Sequence, residues 1–473
     1  MRRTATLAML IGAGLLLQAA PVLADGASGP PSDDDLLQRL RKLEERDARH
    51  QRVLEQQQHE IDELRQQVGD NWLTERRAEE IRSLVADVLA DVDTRSTLMQ
   101  NGMTAGWSEH FFLASGDGRF KLQVGGQQQF RYVWSFHDQP DKYRGGFENT
   151  RTKLTLRGHV ISPDLTYLVR GSFFRNAGNF GLEDAWLRYH LDDQWNVRFG
   201  QFKLPFNREE LVSSAKQLAV ERSLINESLN LGRSQGVELA YANATNRASL
   251  AFSDGGDDQV GGFGLVGTSP QNTTALTEDT EFTFTGRVEH LAAGSWAQFD
   301  DFTSPVNDEY GLLLGIGGHY QQNEYNGAFS FGRNEERWLA WTADVSVEWG
   351  GANAFAAFTY HYIDDGGNVG QVTVYGLVVQ AGAYFTPKFE FFTRFEYGLF
   401  DVDTANFANL YLATFGGNYY FDGHDLKLTA DIGFGISQVD SPWNSDIAGW
   451  RTDGDIPGAE SQVVIRIQFQ LLF

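Results

Sequence analysis

The sequence predicts an all-β transmembrane barrel of sixteen antiparallel strands, preceded by an α-helical coiled-coil segment. Three observations carry this reading. After residue 107, apolar and polar side chains alternate with period two in sixteen segments; short turns alternate with longer loops rich in Gly, Asp and Asn; and the final strand ends on Phe473. Gly makes up 50 of 473 residues and aromatics 13%, a composition suited to strands and turns. The formal charge of -24 argues against a nucleic-acid partner, whose affinity is built from clustered Lys and Arg. The absence of Cys removes disulfide scaffolds, thiol catalysis and Cys-ligated zinc together.

Taken in order, residues 1–24 read as a secretory signal, with Arg2 and Arg3 ahead of an apolar run from Leu7 to Leu17 and small residues up to Ala24. The run is about half of the ~20 residues that a spanning helix needs. An exported chain with no longer apolar stretch enters a membrane only as a closed barrel. Residues 25–35 form a polar linker containing Pro30 and Pro31. Across 36–68 a heptad places Leu36, Leu40, Leu43, Leu54, Ile61, Leu64 and Val68 on one seam, interrupted by Asp47, His50 and Gln57. Arg39 faces Glu44 and Glu60 faces Arg65 in a parallel pairing, so a coiled coil is expected in preference to one solvated amphipathic helix. Residues 69–106 carry a second amphipathic stripe, from Ile81 to Val92, and a linker.

The barrel occupies 107–473. Its alternating segments are expected at 120–136, 149–161, 164–175, 182–191, 194–203, 235–243, 247–253 and 280–291, then at 309–321, 338–350, 353–363, 372–386, 388–398, 409–421, 425–437 and 461–473. Short turns such as Ser162 to Asp164, Asp192-Asp193 and Pro387-Lys388 fall on one side and long loops on the other, with 291–309 the exception. Trp134, Trp195, Trp338, Trp349, Tyr384, Tyr419 and Phe421, near strand ends, fit interfacial girdles.

Alternation also assigns the lumen. Strands one to five are expected to place Lys121, Arg131, Arg151, Lys153, Arg157, Arg170, Arg188, Arg198 and Lys203 inward, with Asp184 the only acid in those registers. Later strands are expected to place Glu238, Glu281, Glu289, Asp344, Glu348, Glu390, Glu396 and Asp431 inward, against Arg287, Arg394 and Lys427. The expected result is a transverse field across a wet pore. The third external connection, 204–234, mixes Leu204, Phe206, Leu211, Val212, Leu218, Val220, Leu224 and Ile225 with charges, so part of it must be buried. It is expected to fold inward as a constriction, its Glu209, Glu210, Glu221 and Glu227 facing the basic wall.

The stretches FENTRTKLTLRGHVISPDLTYLVRGSF (147–173) and LEDAWLRYHLDDQWNVRFGQFKLPFNREELVSSAKQLAVERSLINESLNLGRSQGVEL (182–239) resemble the phosphate-selective porin O and P family, most specifically at GQFKLPFNRE and VERSLINE. The resemblance implies a sixteen-stranded trimeric porin of the bacterial outer membrane whose third loop enters the pore. By that analogy the coiled coil is expected to be a periplasmic trimer. The expected partners are a homotrimer, outer-membrane lipids, small hydrophilic solutes and, through the helical segment, the cell wall. The alternative is a structural tether to the wall, with its barrel plugged by its own loops.

No enzyme, cofactor or metal site is expected. Gly232-Arg233-Ser234-Gln235-Gly236 spells a nucleophile-elbow pattern, but a loop precedes it and a strand follows, the reverse of the required order. Gly262, Gly264 and Gly267 match a dinucleotide fingerprint with no βαβ unit around it, and Ser269-Pro270 stands where a helix should open. His290, His319 and His361 lack metal spacing, and the acidic run Asp254 to Asp258 lacks the regular ligand spacing of a calcium loop.

Overall fold

The computed structural model describes residues 102–136, 143–175, 178–257, 270–274, 280–324, 335–364, 371–402, 405–406, 409–437 and 462–473, with parts of 38–59 and of 439–450. The chain divides into two units, Met1–Ser96 and Thr97–Phe473. In the first, the described residues between 38 and 59 are helical and exposed. The expected signal, linker, heptad seam (Leu36, Leu40, Leu43, Leu54, Ile61, Leu64, Val68) and second amphipathic stripe lie outside the described residues.

The second unit is a closed barrel of sixteen strands: β1 Phe120–Phe136, β2 Tyr143–Val160, β3 Ser162–Phe173, β4 Phe180–His190, β5 Trp195–Lys203, β6 Arg233–Ala242, β7 Asn246–Ser253 and β8 Thr280–Ala293. The ring continues with β9 Gly311–Glu324, β10 Glu335–Trp349, β11 Ala352–Asp364, β12 Gln371–Thr386, β13 Phe389–Val402, β14 Leu410–Asp422, β15 Leu426–Gly435 and β16 Val463–Leu472. Each pairs antiparallel with the next, and β16 closes on β1 through Val463↔Phe136 to Leu472↔Gln127. Closure leaves no edge, the condition for strands to cross hydrocarbon. All sixteen expected strands are present.

Their largest displacement has a local cause. β2 begins at Tyr143, not 149, because a bulge at Thr150 inverts the register: Gln129 pairs with Arg151 while Phe130 pairs with Asn149. Above the bulge the inward parity switches from odd to even, so the alternation breaks where the strand does not.

Residues 103–106, expected as linker, belong to a hairpin of Met103–Ser108 and His110–Ser115. Its second strand pairs with β1 from Phe111↔Val124 to Ala114↔Lys121, prolonging the edge that β16 leaves at Gln127. Phe473 joins the two. Gly126 N–H donates to its carbonyl at 2.7 Å, its own N–H returns to Gly126 O at 3.1 Å, and its ring lies over the Gly126 Cα.

Short connections stand at Ile161, 191–194, 243–245, 350–351, 387–388 and 423–425. Polar side chains cap them: Asp192 Oδ1 accepts from Gln194 and Trp195 N–H, and Asn243 Oδ1 from Thr245 and Asn246 N–H. The exception, 294–310, turns into the barrel and buries Phe299, Phe302, Thr303 and Ser304.

Candidate functional site

The site is the lumen and the segment 204–232 that crosses it. Single helical turns at Arg208–Leu211 and Leu224–Leu229 and a 3-10 turn at Ser214–Lys216 give the segment its shape. Ser213 and Ser223 open the last two as caps, their hydroxyls accepting from Ala215 and Asn226 N–H. A loop buried in a barrel carries backbone groups that water cannot reach, so the walls must bond them. They do so from opposite sides. Arg287 on β8 donates to Phe206 O (2.8 Å), Asn418 on β14 to Leu218 O (2.9 Å), Lys427 on β15 to Gln217 O (3.0 Å) and Gln470 on β16 to Ala215 O (3.0 Å). Asp431 accepts from Val220 N–H (2.9 Å) and Glu396 from Leu224 N–H (2.6 Å), while Arg394 donates to Glu221 O (2.9 Å).

The rest of the contact is apolar. Leu204, Phe206, Leu218, Leu224, Ile225, Leu229 and Leu231 join Trp338, Phe355, Val372, Val374, Val378, Phe400 and Leu412 from the strands, with Trp443 and Trp450 from the connection before β16, in one buried cluster. Gly376 and Gly398 make room for it: a Cβ at either would stand 2.4 Å from Ile225 or 2.6 Å from Trp443. From the short-turn end, 298–304 meets the same filling. Arg208 donates to Ser346 Oγ (2.9 Å) and Phe299 O (2.7 Å), and the Phe302 and Phe355 rings lie 4.9 Å apart.

The filling is one-sided. On β10 to β16 the described inward side chains are nearly all buried, whereas Lys121, Gln123, Arg151, Lys153, Thr155, Arg157, His159, Arg170, Trp186, Arg188 and Arg198 on β1 to β5 keep solvent contact. Eight of the nine expected basic residues, all but Arg131, therefore meet water. Most of the acids expected on the opposite wall stand inside the barrel but do not line water. Glu209, Glu221, Glu238, Asp344, Glu348, Glu390, Glu396 and Asp431 are buried, most of them bonding the loop or neighbouring cations, because the loop sits on that wall. Glu281 is exposed and accepts from Gln322 (2.8 Å), away from the loop, and Glu289 pairs with Arg287 (3.0 Å).

Along the basic wall, ion pairs alternate: Arg151–Glu221 (2.5 Å), Lys153–Glu183 (2.7 Å), Arg170–Asp184 (3.4 Å), Arg198–Glu238 (2.6 Å), Lys203–Glu210 (2.9 Å) and Arg233–Asp184 (3.1 Å). Two acids that parity missed are here. The bulge at Thr150 brings Glu148 to Arg131 (2.5 Å), and a second shift, between Arg170 and Gly171, brings Glu183 in beside Asp184. Among the described residues, Arg157, Arg188 and Lys121 have no carboxylate partner. The Arg188 guanidinium lies 4.8 Å over Trp186 and the Lys121 ammonium 5.6 Å over Phe112. In the loop, burial opposes ionisation of Glu221, but Arg151 and Arg131 prevail and hold it well below the usual carboxylate range. Glu227, half-buried, is pushed up to about 7 by desolvation and by the charge of Glu221.

Sequence reasoning missed the apolar filling. A signal exists on β12, where Val372, Val374 and Val378 stand on one register and Tyr375, Leu377 and Val379 on the other: a strand apolar on both faces is covered on both. The Ser of Gly232 to Gly236 opens β6 with no helix after it, and among the described residues no group of three His, Asp or Glu could hold a metal ion.

Residues 122–433 match the model of the family described as phosphate-selective porin O and P. No curated protein matches the sequence. Among solved structures, the anion-selective porin from Comamonas acidovorans is similar at 14% identity and a TM-score of 0.52, over 74% of this chain and 99% of that one. The outer-membrane OmpT of Vibrio cholerae aligns at 10% identity and TM-score 0.49, over 75% and 98%. The outer-membrane channel DcaP of Acinetobacter baumannii aligns at 14% and 0.46, over 74% and 97%. At these identities the first likeness bears on fold alone.

Proposed function

The chain belongs to the phosphate-selective porin O and P family, and from that premise we propose a passive, water-filled channel of the outer membrane in which 204–232 forms the constriction. Small hydrophilic or charged solutes pass between that segment and the β1 to β5 wall. The observation that carries the reading is the one-sided filling: a lumen half closed by packed apolar side chains and half lined by solvated cations conducts along the cations. Arg157, Arg188 and Lys121 bias the path toward anions, and Glu227 is the counter-charge on the loop side. The heptad segment lies in the periplasm, where it trimerises the protein and extends toward the cell wall. Conductance of the purified full chain in a planar bilayer tests this. A stable open channel with anion preference in a potassium chloride gradient is expected, and potassium phosphate against potassium chloride reads the preferred anion. A second reading, a tether with a plugged barrel, is favoured by the burial of Phe299, Phe302, Thr303 and Ser304 and of Trp443 and Trp450; it requires a closed bilayer.

A further inference from the structure

Two arginines inside the barrel each bond two different connections at once. Arg131 on β1 donates to Ile447 O at 2.5 Å and also to the Glu221 carboxylate in the 204–232 segment. Arg466 stands on the neighbouring strand, β16. It donates to Ala448 O at 2.8 Å and to the two oxygens of Asp431 at 2.7 and 3.0 Å, while Asp431 accepts the Val220 N–H. Residues 447–450, in the connection before β16, are therefore linked through the wall to Val220 and Glu221 in the constriction.

The two halves of each link are unequal. Toward the constriction the guanidiniums meet carboxylates, and breaking such a pair strands a buried charge. Toward 447–450 they meet neutral carbonyls. Releasing 447–450 strands no charge, because Arg131 keeps Glu221 and Glu148 and Arg466 keeps Asp431. Packing holds the turn otherwise. Trp450 lies against Gly433 and Trp443 against Gly398, where a Cβ would stand 2.8 and 2.6 Å from the indoles. The buried Trp443 indole N–H meets no acceptor among the described residues, so this packing carries an unpaired polar group. The 204–232 segment, bonded by charged groups from β8, β13 and β15, has no comparable freedom.

We propose that residues 447–450 form a gate on the filled half of the barrel, latched by Arg131 and Arg466. Such a gate presupposes the channel proposed above and gives it a second conducting state. With the turn docked, both arginines are covered and current follows the β1 to β5 wall. With the turn released, water reaches the two guanidiniums from the long-loop side, so the mouth widens and gains two cations. The released state conducts more and prefers anions more strongly.

The full chain contains no Cys, so introduced thiols report the movement cleanly. Val464 is fully buried beneath Gly449, whose Cβ, if present, would stand 3.2 Å from Val464 Cγ1. In Val464→Cys, a water-soluble maleimide added to the full chain in detergent is expected to react slowly. Adding Trp450→Ala should speed that reaction at least about a hundredfold, because it removes a buried indole from the docked turn. In Gly449→Cys with Val464→Cys, oxidation, verified by loss of free thiol, should abolish the larger of two single-channel current levels. Reductant should restore that level in the same protein, which controls for the strain of a side chain at Gly449, where φ is 83°. Trp450→Ala should lengthen the time spent in the larger, more anion-selective level. Absence of labelling at 464 in the Trp450→Ala background overturns the gate while the channel stands. So does a single current level, or a pair of levels that oxidation leaves unchanged. Absence of current in every protein overturns the channel reading, and with it the gate, whatever the labelling shows.

Discussion

Arg151 donates two hydrogen bonds to Glu221, at 3.0 and 2.5 Å, and Arg131 reaches the same carboxylate from the neighbouring strand. One loop acid thus ties 204–232 to two strands across the lumen. Replacing Glu221 with Gln leaves both guanidiniums facing a neutral amide, and breaking a buried pair costs about 3–5 kcal/mol, less here because Arg131 keeps Glu148. The expected outcome is a lower unfolding temperature in detergent, noisier single-channel current and a reversal potential shifted toward anions. Current as quiet as that of the unaltered protein would mean the loop is held elsewhere.

Arg157 and Arg188 separate the basic wall from the ion-pair network. Both keep solvent contact and neither has a described carboxylate partner, whereas Arg131 is fully buried beneath Glu221 and Glu148. Arg157→Gln with Arg188→Gln is expected to shift the reversal potential toward cations with little effect on stability. The shift should shrink at high salt, where screening falls to ~3 Å. Arg131→Gln should do the opposite, lowering stability more than it alters selectivity. Equal selectivity effects from the two experiments would contradict the division.

How much of this was legible depended on period two. Where it held, as in β16 with Val463, Ile465, Ile467, Phe469 and Leu471 on one side, strand and face were both readable. It failed at bulges, which cost the reading of Glu148 and Glu183, since one extra residue inverts every side chain beyond it. It also failed where the lumen is dry. An inward Glu390 or Glu396 reads the same whether it faces water or bonds a buried loop, and only the loop's position distinguishes the two. The inward course of 204–234 was readable because its leucines and isoleucine had no other place to be buried.

Glu227 makes the conduit sensitive to pH. Its carboxyl, raised to about 7 by burial and by Glu221, is neutral below that pH and charged above it. Because the raised value means that the folded state holds the proton more tightly, this group's contribution to stability is greatest below the ordinary carboxylate range. It falls as pH rises toward 7 and is constant beyond. Between pH 6 and 8 the reversal potential should move toward cations, and Glu227→Gln should remove that movement. A pH response that survives in Glu227→Gln would assign it to another group.

Deleting Ser213 to Asn226 removes Leu218, Leu224 and Ile225 together with the Glu221 anchor. If 204–232 narrows the path, single-channel conductance rises in every deletion protein that still resists denaturation as a closed barrel. Unchanged conductance in a folded barrel would make the segment a lid off the path.

The closure of the ring offers a test that does not involve the lumen. The Phe473 ring occupies the space beside Gly126, where a Cβ would stand 2.2 Å from it, while two backbone hydrogen bonds join the same residues. Gly126→Leu therefore evicts the ring without removing the ladder, at a cost of about 1–3 kcal/mol for the overpacked site. Phe473→Ala loses the same contact from the other side. Both should slow refolding into lipid vesicles, followed by the heat-dependent shift in electrophoretic mobility. Because both destroy one interaction, combining them should cost less than the sum of the two, with the small alanine giving the introduced leucine its room. Strict additivity would show that the ring and the glycine act independently, and that β16 closes on β1 through the ladder from Val463↔Phe136 to Leu472↔Gln127 alone.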